Sequence, residues 1–390
     1  MMLSQERILV THVGSLPRAA ELSDLLIRKE AGEAIDLGRL KYLSAEAVSH
    51  VVSRQIAAGI DIVNDGEQPR VGFQTYVAER VQGFGGASRR PSPADFTAFP
   101  GFAKQLAGRF PRRSKVSNAP QAVAAVRYED LTAAREECAL MAAALGEQPR
   151  QPAGAFMTAA SPGIIATTML NAHYASHEDY VFALAREMRS EYELILAEGF
   201  ILQLDAPDLA MERTMLFQDK TIPEFLAIVE THVAALNAAI DGLPRERIRL
   251  HCCWGNWEGP HVHDVPLGDV LPLLYQAKVG GLSLEFANPR HQHEYQALKR
   301  APLPAEMYLL PGVIDSTTNY VEHPDVVANR ICEAVAAVGD RERVVASTDC
   351  GFGTFAGHEF VAEDVVWAKL ASCRAGADIA TQRLWGRASP

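Results

Sequence analysis

Eight short apolar runs, each followed by a longer polar or amphipathic stretch, constrain this chain more than any other feature. The runs cover 8–12, 60–64, 155–159, 200–204, 248–250, 281–284, 307–310 and 344–347. Short apolar runs bounded by turn residues read as buried strands. Helical periodicity marks 21–58, 131–145, 178–198, 222–240, 324–338 and 361–375, with Pro324 suited to a first turn and Gly242 and Pro244 just past a helix end. Alternating strand and helix imply a parallel sheet. Eight such units in one domain predict an α/β fold of the (β/α)8 TIM-barrel type, with a doubly wound open sheet as the alternative. The barrel is preferred because Glu67, Asp205, His251, Cys253, Glu285, Asp315 and Cys350 all fall at or just past strand ends, the catalytic rim of a barrel.

The rhythm breaks once. From 81 to 120 the chain is rich in Gly, Pro, Ser and Arg, and it reads as an insertion after strand two within a single catalytic barrel spanning 1–390, with 121–126 as one of its strands. The insertion carries Arg89, Arg90, Lys104, Arg109, Arg112, Arg113 and Lys115 against one acid, Asp95. A basic lobe could hold an anionic substrate tail or a partner subunit, and a solvated surface is the plainer reading.

Composition narrows the function classes. The 390 residues are 48% hydrophobic and 22% charged, enough for a large core. A formal net charge of −11 argues against nucleic-acid binding. The six cysteines show no framework spacing and read as reduced thiols, and the N-terminus lacks an apolar signal region. No apolar run is long enough to span a membrane. The expectation is a cytoplasmic protein without nucleic-acid or membrane partners, its homo-oligomeric state left open.

The chemistry centres on His251 and Cys253. On a strand, residues i and i+2 share a face, so both can reach one point while Cys252 points away. Imidazole with thiolate suits zinc. Glu285 and Cys350, at the ends of strands six and eight, are candidates to complete the set. Four fixed ligands would make a closed, structural site. A weakly held carboxylate could instead yield to a substrate thiol, whose pKa the metal would lower.

Thr11-His-Val-Gly-Ser-Leu-Pro-Arg18, Asn64-Asp-Gly-Glu67, Leu202-Gln-Leu-Asp-Ala-Pro207, His251-x-Cys253, the strand ending in Glu285 and Thr348-Asp-Cys-Gly351 follow one another at predicted strand ends. In this order they resemble the C-terminal catalytic barrel of the cobalamin-independent methionine synthase family, along nearly the whole chain. The resemblance implies zinc held by His251, Cys253, Glu285 and Cys350. It implies that Ser15, with the backbone near Val13, binds an amino-acid carboxylate, and that Glu67 and Asp205 bind its ammonium group. Two carboxylates facing a pocket suit a cation on physical grounds as well.

Two departures matter. Complete methionine synthases carry a further N-terminal barrel that helps bind polyglutamyl folate, and these residues leave no room for it. The family's proton-transfer His soon after the seventh strand is absent. Asp315 is followed by Ser-Thr-Thr-Asn, and the nearest imidazole is His323, which could take that catalytic role or simply precede the helix at Pro324. His261, His263, His291 and His293 add imidazoles near the rim, read as shaping the pocket rather than holding a second metal.

The expected function is zinc-dependent S-alkyl transfer, most simply methyl transfer to homocysteine, with the donor (folate, corrinoid or a small alkyl compound) unresolved. The rival on the same scaffold is epoxyalkane:coenzyme M transfer. That thiol carries a sulfonate and no amine, so it would need cations such as Arg18, Arg70 or the basic insertion where homocysteine needs carboxylates. A rival of another class is a non-catalytic, zinc-stabilised barrel that binds a thiol.

Overall fold

The computed structural model describes residues 3–109 and 118–386. Its strands are β1 (Leu9–Val10), β2 (Ile62–Val63), β3 (Gln82–Gly85), β4 (Gln121–Arg127), β5 (Gly154–Ala160), β6 (Ile201–Asp205), β7 (Ile248–Cys252), β8 (Gly281–Leu284), β9 (Tyr308–Ile314) and β10 (Val345–Thr348). Eight of them form one sheet in the order β1-β10-β9-β8-β7-β6-β5-β2, with every pairing parallel. Between the two terminal strands, Asp61 N donates to Val10 O (2.9 Å) and Thr11 Oγ1 to Ile62 O (2.8 Å), closing the sheet into the expected barrel.

Alternation along the strands separates two apolar layers. Ile62, Phe156, Ile201, Tyr308, Leu310 and Val345 cluster together inside the barrel. Their neighbours Val63, Met157, Leu202 and Leu309 belong to the larger cluster that packs under the helices. Period-two alternation therefore persists inside strands whose sequence reads as continuously apolar, because both faces are buried.

Helix ends follow local chemistry. Thr221 and Glu224 form a capping box on Ile222–Ala239, and Ser176 caps His177–Ala197. The stretch expected as one helix over 21–58 is two, Ala20–Glu30 and Leu37–Ala57. Gly32 takes a φ of 78° between them, and Asp36 restarts the helix by accepting from Arg39 N at 2.9 Å. The last helix, Glu363–Trp385, outruns the expected 361–375. Its Gly376 lies against Val327, where an added Cβ would collide, so a residue that reads as a helix breaker is instead a close helix contact.

The segment between β2 and β5 holds the antiparallel β3–β4 pair and the helices Ala94–Ala98, Pro100–Arg109 and Thr132–Gly146. Arg112, Arg113 and Lys115 of the basic stretch lie outside the described residues. A buried ionic network ties this segment to the barrel. Glu137 pairs with Arg70 (2.8 Å) and with Arg80, and Arg80 reaches Glu191 (3.1 Å), which also accepts from the Tyr76 and Tyr128 hydroxyls. Glu137→Ala leaves two guanidinium groups short of their carboxylate in a buried setting. Urea unfolding is expected to show a loss of about 3–5 kcal/mol. A loss under about 1 kcal/mol, the value of an exposed pair, would contradict this reading of the network.

Candidate active site and metal centre

At the C-terminal rim of the barrel, Val13, Ser15, Glu67, Asp205, His251, Cys253 and Cys350 line one cavity of about 420 Å3. His251 faces inward from β7 and Cys253 follows just past its end, while Cys252 between them is buried in the apolar layer under the helices. Cys350 arrives two residues after β10. One ligand atom from each of His251, Cys253 and Cys350 lies within 4.8 Å of the others, and all three residues are buried. His251 Nε2 is 3.5 Å from Cys350 Sγ. Ligand bonds of about 2.0 Å to nitrogen and about 2.3 Å to sulfur in a tetrahedron put neighbouring ligand atoms roughly 3.5–3.8 Å apart, so the donor set fits zinc in chemistry and the His251–Cys350 separation fits it in spacing.

Electrostatics favour the same use. Burial, with help from Arg249, pushes His251 down to about 3, so its imidazole is neutral and its lone pair free of proton competition. The Cys350 thiol is held well above its ordinary value, first by its hydrogen bond with Cys253 and then by burial. Without a metal, Cys350 is therefore a neutral thiol.

Glu285, expected as the fourth ligand, does not join the three. It is buried just past β8, and its carboxylate is already engaged. Oε1 accepts from Trp254 N (2.8 Å), while Oε2 accepts from Asn288 Nδ2 (2.8 Å) and Arg290 (3.2 Å). Asp349, present in the Thr348-Asp-Cys-Gly351 motif but given no role there, clamps this loop by accepting from the backbone N–H groups of Phe286, Ala287 and Asn288 at 2.8–2.9 Å.

Across the cavity stand the two carboxylates. Glu67 Oε1 accepts from Thr158 Oγ1 (2.9 Å), and its Oε2 is buried without a partner. Asp205 Oδ1 accepts from Gln203 Nε2 (2.8 Å), and Gln203 is held from beneath by the buried Arg249 (2.8 Å). Burial raises Glu67 against the pull of Arg70 and Arg18. Burial and then the charge of Glu67 raise Asp205 further. Gly14 permits this closeness: its φ is 144°, and a Cβ there would strike Thr158 and Glu67. Both features suit an incoming cation, which would partner the empty oxygen and relieve the repulsion.

Two of the cations proposed for a sulfonate, Arg18 and Arg70, are occupied elsewhere. Arg18 is spent on the backbone carbonyls of Glu67 (2.7 Å) and Gly353 (2.5 Å), and Arg70 on Glu137 and Thr158. Neither lines the cavity. Arg90 does, but it pairs with the buried Glu212.

The two residues expected to be catalytic lie away from the cavity wall. His323 is exposed and caps the helix Pro324–Val338, its Nδ1 accepting from Asp325 N at 3.2 Å; it does not reach the cavity. Asp315 is buried, but its Oδ1 closes a turn by accepting from Thr317 N (2.6 Å) and Oγ1 (2.8 Å), and it also stays off the cavity wall. Of the four rim histidines, His261 and His291 form a salt-bridged cluster, facing Asp264 at 3.3 and 3.2 Å, and His291, also paired with Glu294, is raised to about 9 against the effect of burial; His263 and His293 are exposed, and none of the four lines the cavity. Asn256, Trp257 and His358 line the cavity without having been foreseen. They sit in loops whose sequence carries no periodic signal.

An eight-stranded parallel barrel with a soft-donor cluster and two buried carboxylates at its C-terminal rim defines a class: TIM barrels whose rim carries residues that could hold a metal ion. Within that class the comparisons are specific. The chain is 24% identical over 375 residues to a methionine synthase of Saccharolobus islandicus, covering 96% of this chain and 95% of that one. It is 25% identical over 332 residues to the 2-hydroxypropyl-CoM lyase of Xanthobacter autotrophicus, covering 78% of each. The fold matches that of a B12-independent methionine synthase from Shewanella sp. W3-18-1 in complex with selenomethionine, with a TM-score of 0.73 at 22% identity over 98% of this chain and 100% of that one. No family model matches. The chain is thus similar to the cobalamin-independent methionine synthases and their single-barrel relatives, as its ordered motifs indicate. No helix among the described residues is long and apolar enough to cross a membrane.

Proposed function

We propose that this chain is a zinc-dependent S-alkyltransferase acting on a small thiol, and that the thiol is homocysteine with methyl as the group transferred. The observation that carries this reading is the meeting, in one cavity, of the His251–Cys253–Cys350 cluster with a buried and partly unpartnered carboxylate pair. A zinc ion held by those three residues would lower the pKa of a substrate thiol and keep it as a thiolate nucleophile.

The remaining roles belong to the chain. Glu67 and Asp205 hold the ammonium group, with Gln203 and Arg249 fixing Asp205 from below. Ser15 and the backbone around Val13 receive the carboxylate. Glu285 is the displaceable fourth ligand: moving toward the cluster would cost its bonds to Asn288 and Arg290, which leaves it weakly competitive with an incoming thiol. Asp315 acts as a positioning residue for the turn after β9. Fixing the thiol against a tethered donor supplies the entropic part of the rate gain.

The resemblance to the 2-hydroxypropyl-CoM lyase keeps coenzyme M as the rival thiol. Titration calorimetry of the zinc-loaded protein separates the two. Homocysteine is expected to bind at least about 30-fold more tightly than coenzyme M, because buried carboxylates meet an ammonium in one case and a sulfonate in the other. Tighter binding of coenzyme M would overturn the choice of thiol.

A further inference from the structure

We propose that the outer half of this cavity is the alkyl-donor compartment and that it takes an uncharged, largely apolar molecule. The inference rests on the thiol-alkylation reading above and assigns the second substrate, which nothing else in the molecule identifies.

Away from the metal-ligand cluster the walls are predominantly apolar, with Phe73, Phe96, Leu106, Met211, Trp257 and Phe355 outweighing the interspersed Gln74, Asn256 and Thr354. Much of the roof comes from the segment whose composition suggested a basic lobe. The helices Ala94–Ala98 and Pro100–Arg109 turn Phe96, Ala103, Leu106 and Ala107 toward the cavity, while Lys104 is exposed and does not line it. Helical spacing thus sorts one segment into an apolar inner face and a basic outer one. The roof is fastened at several points. Arg90 pairs with Glu212, Ala94 N donates to Thr214 O (2.9 Å), and Val262 N donates to Asp95 Oδ1 (3.3 Å).

The charges inside complete the case. Glu67 and Asp205 are assigned to the thiol substrate, the Arg90 charge is met by Glu212, and His358 lies against the rings of Phe355 and Phe360 at centroid distances of 6.2 and 5.0 Å. Among the described lining residues the one Lys or Arg, Arg90, is already paired, so a donor with a buried carboxylate would lose its hydration here without an uncommitted Lys or Arg beside it, whereas an apolar donor would gain from the walls.

The test uses two inert probes of matched size, 2-methoxynaphthalene and 2-naphthoate, titrated into the zinc-loaded full chain saturated with homocysteine. The neutral probe is expected to bind at least about tenfold more tightly than the anion. Ala107→Asp, at an exposed position on the cavity-facing side of the roof helix, should weaken the neutral probe by about tenfold or more. Homocysteine affinity should stay within about twofold, since Ala107 stands on the roof helix while the carboxylate pair stands at the strand ends. Ala103→Asp, one turn earlier, repeats the test independently. Equal or tighter binding of 2-naphthoate, or a neutral probe indifferent to both variants, would overturn the proposal. If homocysteine itself fails to bind, the thiol reading falls, and the same probes titrated without it still decide the chemistry of the compartment.

Discussion

Cys253→Ser is expected to yield a folded barrel that no longer retains zinc. The thiol is buried at the cavity wall within 4.8 Å of the ligand atoms of His251 and Cys350. Serine is nearly isosteric, so packing should survive. A neutral hydroxyl, however, is a poor replacement for a soft thiolate. Losing residues that merely orient a ligand typically costs 10–100-fold in metal affinity, so losing a ligand should cost more than about 100-fold, and S-alkylation should fall at least as far. Competition with a chromogenic chelator measures the first, and product formation the second. Cys252→Ser is the internal control. That side chain packs in the outer apolar layer, so the variant should lose stability while keeping its zinc. Equal zinc loss from both variants would mean that the cluster is not the metal site.

Asp205→Asn is expected to keep zinc and lose the amino-acid thiol. Removing one carboxylate from a buried charge interaction costs about 2–5 kcal/mol, which corresponds to a rise of roughly 30-fold or more in the Kd for homocysteine. Glu67→Gln should act similarly, since its Oε2 is the unpartnered oxygen. A thiol of the same length without an amine should be nearly indifferent to either change. The pH dependence follows from the directions of the shifts. Both carboxyl groups are raised by burial, so in the empty cavity they take up protons more readily than ordinary acids as pH falls. An ammonium ligand stabilises their charged forms and lowers those pKa values, so binding releases protons and weakens toward acid pH. Calorimetry in buffers of different ionisation enthalpy measures that release, run on the zinc-free protein so that no proton from a zinc-bound thiol is counted. Proton uptake on binding would contradict the assignment.

The barrel was legible because its signal is redundant. Each strand run was short, apolar and bounded by turn residues, and six of the site residues stand within three residues of a strand end. His251 and Cys253 were readable from period two alone, and β7 extends to Cys252 as that reading requires. Glu285 shows the limit. Its place after β8 was clear, but its hydrogen bonds to Trp254, Asn288 and Arg290 depend on two loops that carry no periodicity. The position of His323 was obscured for a related reason. Proximity in sequence to Asp315 suggested a catalytic imidazole, whereas the Pro after it was the stronger local signal and made it a helix cap. The apolar inner side of the roof was not legible because composition counts arginines without assigning sides. The helical period turned the apolar residues inward, and Glu212, distant in sequence, neutralised Arg90.

The most direct test of thiol activation is zinc X-ray absorption on the purified protein, alone and then with homocysteine or coenzyme M. The account predicts two sulfur ligands at rest, from Cys253 and Cys350, and three after homocysteine, with no change on adding coenzyme M. A shell that stays at two sulfurs with both thiols, or a protein that holds no zinc, would contradict it.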